Sequence, residues 1–73
     1  MPLKDAETKP VEPEKARELD TAELRAEVAR LEEARFRLRF RSATEAIENS
    51  AQIRNLRRNI ARLKTVLRER VQA

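Results

Sequence analysis

Between Ile53 and Arg70 the chain reads IRNLRRNIARLKTVLRER, with Ile53, Leu56, Ile60, Leu63 and Leu67 recurring at steps of three and four. That spacing is one stripe of an amphipathic α-helix. Each residue rotates a helix by about 100°, so these five side chains fall within roughly 80° of arc. Arg54, Arg57, Arg58, Arg62 and Arg68 fall on other sides of the axis. A helix with an apolar edge and an arginine-covered back has two partners. One is protein; the other is a polyanion.

Composition narrows the rest. The chain has 73 residues, one small domain at most, and chains this short are marginally stable alone. It has no Gly, which disfavours tight hairpins, phosphate-binding glycine loops and most β architectures. It has no Cys and no His, so disulfides are excluded and neither a zinc site nor any other cofactor is expected. Ala, Leu, Glu and Arg dominate, and all four favour helices. No apolar run approaches the roughly 20 residues of a membrane span. MPLKDAETKPVEPEK has no apolar core, so it is not a secretory signal, and the expected compartment is the cytoplasm.

The net charge of +4 is unevenly spread. Residues 35–73 carry eleven basic and three acidic groups, a local +8, while residues 1–34 sum to −4. Ten of those eleven basic groups are arginine, the side chain suited to multidentate contact with phosphate. Such a field attracts phosphate backbones or acidic surfaces.

Along the chain, Pro2, Pro10 and Pro13 among charged residues predict an extended or disordered arm over 1–13. Glu14 to Leu19 suits a short helical turn. Asp20 is a good N-cap with Glu23 three residues on, a capping box, and Leu19 and Leu24 can staple it. A single helix running on from Glu14 is the competing reading. The first long helix is expected over about 20–43, with Leu24, Val28, Leu31 and Leu38 on one stripe and the aliphatic stem of Arg35 on the same edge. Phe36 and Phe40 lie off that stripe with Ala29 and Ala43, a second apolar edge to be covered by the N-terminal turn or by another macromolecule. RFRLRFR alternates like a strand, but helical periodicity precedes it and the chain offers no partner strand.

A connection over about 44–49 follows, in which Ile47 tucks back between helix ends and Asn49 or Ser50 caps the second helix, about 50–70. The predicted fold is all-α: an antiparallel two-helix hairpin, coiled-coil-like, with a short N-terminal turn and an extended arm. Its core joins Leu24, Val28, Leu31 and Leu38 to Ile53, Leu56, Ile60, Leu63 and Leu67.

No catalytic constellation stands out. Ser42 and Ser50 lack an evident base, and carboxylates such as Glu27, three residues before Arg30, suit intrahelical pairs. Arg54, Arg58 and Arg62 line up at steps of four, with small Ala61 beside them and the Thr65 hydroxyl extending the strip toward phosphate. That spacing suits following a sugar-phosphate ridge. Single-strand stacking needs exposed aromatics, for which only Phe36 and Phe40 are available, so folded or duplex RNA read by shape is the better fit and a DNA reader the poorer one.

In order, Leu38-Arg39-Phe40, Ala43-Thr44, Glu48-Asn49, Ile53-Arg54, Leu56-Arg57-Arg58-Asn59-Ile60-Ala61-Arg62 and Thr65-Val66-Leu67-Arg68-Glu69-Arg70 closely resemble the bacterial large-subunit ribosomal protein L-twenty-nine family. The resemblance covers about residues 15 to 70. It implies a helical hairpin on large-subunit rRNA near the nascent-chain exit, beside ribosomal protein L-twenty-three, where targeting and chaperone factors dock. Carried over, it makes Arg54, Arg57, Arg58 and Arg62 RNA contacts, with Arg39 and Thr65 as weaker ones, and Phe36, Leu38 and Phe40 packing residues, with RNA as the alternative surface against which Phe40 packs. The family's usual Gly-Gln-Leu in the connection is Glu45-Ala46-Ile47 here, which can extend the first helix, and a common Gln is Arg41. Neither a membrane nor a small-molecule substrate is implied. The rival from another class is a coiled-coil module that dimerises or binds an acidic protein. Small helical chorismate mutases also set arginines around an anion, but this chain lacks a third long helix to close such a pocket.

Overall fold

A computed structural model describes residue 3, residues 5–45 and residues 50–72 of the chain. Three helices occur among them: α1 (Pro13–Arg17), α2 (Thr21–Glu45) and α3 (Ser50–Gln72). No strand is present among the described residues, and RFRLRFR lies wholly within α2. The helical period outweighs the local alternation there.

The start of α2 follows from four residues. Glu23 N donates to Asp20 Oδ1 at 2.7 Å and Asp20 N donates to Glu23 Oε1 at 3.1 Å, so the capping box is closed in both directions. Leu19 and Leu24 are both buried beside it. A helix unbroken from Glu14 does not form. Pro13 opens α1 at its first position and Arg17 ends it. Arg70 Nη2 then takes the Arg17 carbonyl at 2.7 Å, tying the end of α1 to α3.

α2 and α3 pack antiparallel, with Lys64 Nζ 3.7 Å from Glu32 Oε1 marking the register. Leu24, Val28 and Leu31 are buried with Leu56, Ile60 and Leu63, while Leu38 and Leu67 are partly buried against the same cluster. Ile53 is half-buried. Arg35 is half-buried on the seam, and its Nε has no acceptor among the described residues.

Within the N-terminal segment, expected as an extended or disordered arm, Leu3 and residues 5–9 form turns, Ala6 N donating to Leu3 O at 3.0 Å and Lys9 N to Asp5 O at 2.8 Å, while Glu12 is extended at φ −77° and ψ 129°. Leu3, Ala6 and Val11 are buried in one cluster with Ala16, Leu19 and the hairpin core. Prolines and charges predict disorder only where apolar anchors are lacking. Three such anchors are present here, and α3 offers polar side chains to hold the backbone between them.

At its other end α2 runs through Glu45, two residues past the expected boundary at about 43, the extension that a connection without glycine allows. The Thr44 hydroxyl bonds back within the helix to the carbonyls of Phe40 at 3.1 Å and Arg41 at 3.4 Å, and neither Gly nor Pro is there to stop it. Ile47 and Asn49, expected to plug and cap the connection, lie outside the described residues. Ser50 is the first residue of α3.

Candidate nucleic-acid interface

α3 has two opposed sides. Leu56, Asn59, Ile60, Leu63 and Val66 are buried, with Gln52, Ile53, Asn55, Leu67 and Arg70 half-buried around them. Arg54, Arg57, Arg58, Ala61, Arg62, Lys64, Thr65 and Arg68 are exposed on the opposite side. The helix carries seven basic side chains against the single carboxylate of Glu69. The seam that binds α2 therefore leaves the arginines turned outward by geometry alone.

The sequence-predicted contacts fare differently. Arg54, Arg57 and Arg58 form no hydrogen bond or ion pair with any described residue, and the same is true of Arg39 on α2. Their guanidinium groups are unopposed charge. Arg62 is exposed but tethered, with Nη1 donating to Asn59 Oδ1 at 3.3 Å. Thr65 Oγ1 donates to the Ala61 carbonyl one turn back at 2.9 Å, so its single proton is engaged within the helix. A phosphate there would find only the hydroxyl lone pairs.

Asn59 is the residue that sequence reading missed. It is 0% exposed. Its Nδ2 donates to the carbonyls of Ala6 at 2.6 Å and Lys9 at 2.9 Å, and its Oδ1 accepts from Val11 N at 2.9 Å and from Arg62. Asn55 Nδ2 adds a bond to Ala6 O at 3.2 Å. Arg30 holds the same segment from α2: it pairs with Glu7 at 3.0 Å and buried Glu27 at 2.7 Å, and donates to Leu3 O at 3.0 Å. Asn59 and Val66 lie just outside the apolar stripe counted from Ile53. An asparagine inside a helix, where its propensity is poor, was the available signal.

The arm and α1 thus cover one flank of the hairpin. The opposite flank is open, bearing Arg39, Phe36 and Phe40 from α2 beside Arg57, Lys64 and Arg68 from α3. Phe36 and Phe40 remain exposed; the N-terminal turn does not cover them. No group of three or more acidic side chains fit to hold a metal ion occurs among the described residues, and no described helix is long and apolar enough to cross a membrane.

Comparison with known proteins gives one consistent result. The family model described as Ribosomal L29 protein matches residues 14–70, so the segment clasped by Asn59 precedes the matched stretch. The chain is similar to the large ribosomal subunit protein uL29 of Gemmatimonas aurantiaca, 61% identical over 57 residues that cover 78% of this chain and 85% of that one. The protein of the same description from Geobacillus stearothermophilus is 52% identical over 54 residues, 74% of this chain and 82% of its own. That from Symbiobacterium thermophilum is 54% identical over 54 residues, covering 74% and 77%. No solved structure gives a significant match to the chain.

Proposed function

The chain belongs to the ribosomal L29 protein family, and from that premise we propose that it binds large-subunit rRNA through the exposed arginine side of α3. It is a structural, non-enzymatic constituent of the large ribosomal subunit, located on cytoplasmic ribosomes. Arg54, Arg57 and Arg58 hold backbone phosphates, Arg39 adds a contact from α2, and Arg62 contributes at the edge of the strip, where the Thr65 hydroxyl can only accept a hydrogen bond. The bound chain lies near the nascent-chain exit, beside ribosomal protein L-twenty-three and within reach of targeting and chaperone factors.

The observation that carries this reading is the unopposed charge. Arg54, Arg57 and Arg58 have no partner among the described residues, while the apolar seam on the other side of α3 is already filled from within the chain. A dimerising coiled coil would need that seam for a second copy. Charged surface without counter-charge is the footprint of a polyanion ligand.

Neutralising about five phosphates makes log K fall against log salt with a slope near −4. Reversing Arg58 and Arg62 to Glu should weaken binding to large-subunit rRNA roughly 10- to 100-fold at low salt and flatten that slope by about 1.5, with helicity retained. Filter binding over a salt series measures both. Unchanged binding by the double variant would favour the acidic-protein or dimer reading.

A further inference from the structure

The α3 arginines leave one feature of α2 unused. Phe36 is 71% and Phe40 62% exposed, and they stand four residues apart on one edge. The arm is engaged on the other flank, so nothing within the described residues covers these rings. Together with Glu32, Arg35 and Arg39 they line an open groove of about 470 Å³.

The electrostatics of this groove are one-sided. Glu32, the one carboxylate among the lining residues, is engaged by Lys64 at 3.7 Å. Arg39 has no such partner among the described residues. Counted from the Glu32 and Lys64 pair, two helical turns toward the connection bring Arg39 of α2 level with Arg57 of α3. Arg57 likewise has no partner among the described residues. The lining carboxylate is thus paired within the chain, and among the described residues the unpaired charge on this flank is positive. Four residues of helix set the two phenylalanines about one turn apart on the same side, so both rings border the groove.

We propose that this groove is a stacking site for one unpaired RNA base, held against the exposed rings of Phe36 and Phe40, with Arg39 and Arg57 on the adjoining phosphates. It rests on the rRNA reading but takes a different part of the ligand. The α3 strip follows a folded backbone, whereas the groove takes a single splayed nucleotide. A nucleotide answers ring and guanidinium together, because every base has a π face and a phosphate beside it.

The test compares F36L/F40L with F36Y/F40Y in binding to the cognate large-subunit rRNA, transcribed in vitro. Leucine keeps apolar bulk and removes the stacking face; tyrosine keeps the face. The leucine variant should bind about 5- to 150-fold more weakly with an unchanged salt slope, and the tyrosine variant should bind like the parent. Both positions are exposed, so circular dichroism should show helicity intact. Leucine binding like the parent, or both variants losing affinity equally, overturns the proposal. In assembled large subunits, a photo-crosslinking benzoylphenylalanine at position 40 should attach to an unpaired nucleotide. Attachment to a protein, to paired nucleotides only, or to nothing overturns it. The two readings fail separately. If R58E/R62E weakens binding and F36L/F40L does not, only the groove is lost. If the parent chain binds rRNA without salt dependence, the α3 reading is lost.

Discussion

Asn59 uses both donors and both acceptor positions of its amide, three of the four on the backbone of residues 6–11. Replacing it with Ala would leave the Val11 N–H and the Lys9 carbonyl without these bonds, in a place where the Asn59 side chain is fully buried. Buried groups left unsatisfied cost about 1–3 kcal/mol each. Asn59→Ala should therefore lower unfolding free energy by about 2 kcal/mol or more, read from urea denaturation followed by helicity. Its effect on rRNA affinity should be smaller than that of R58E/R62E, since Asn59 faces the arm. This residue was half legible in the sequence. Its position in the family run was seen, but its job depends on Ala6, Lys9 and Val11, and no local pattern joins residues about fifty apart. The exposed arginines were legible because one helix period places them all.

At the level of single elements, legibility tracks how local the determinants are. The start of α2 lies within Leu19 to Leu24, and both halves of its capping box can be read without knowing the rest of the fold. Asp20→Ala removes the side-chain half and should cost about 0.5–2 kcal/mol, seen as a lower thermal midpoint. The core stripe of Leu24, Val28 and Leu31 against Leu56, Ile60 and Leu63 was equally plain, since 3.6-residue periodicity needs no outside information. The far end of α2 was not. Thr44 and Glu45 carry no stop signal, and whether the helix continues through them depends on where the return helix begins. The second edge at Phe36 and Phe40 was visible as an edge, but the choice of what covers it required knowing where residues 3–11 go.

For the whole molecule, the arm turns a two-helix hairpin into a layered unit with one covered flank. Two helices alone bury little surface, and a chain of this size gains much from each added apolar anchor. Removing residues 1–12 takes away Leu3, Ala6 and Val11 and uncovers Asn59 and Ala16. The shortened chain should unfold at a clearly lower temperature, while the slope of rRNA affinity against salt stays within about one of the parent's, because Arg54, Arg57 and Arg58 are untouched. Calorimetry and a salt titration check the two halves of that expectation. The anchoring of Leu3, Ala6 and Val11 was not legible in the sequence. Proline and charge content describe a segment in isolation, and this one is ordered by a helix it does not neighbour in sequence. Timing follows from that clasp. Asn59 lies 48 residues beyond Val11 and 53 beyond Ala6. At roughly 5–20 residues per second of translation, residues 6–11 wait about 2–10 s for the side chain that fixes them. This stretch is made well before its clasp, and a prematurely stopped product lacking α3 leaves it loose.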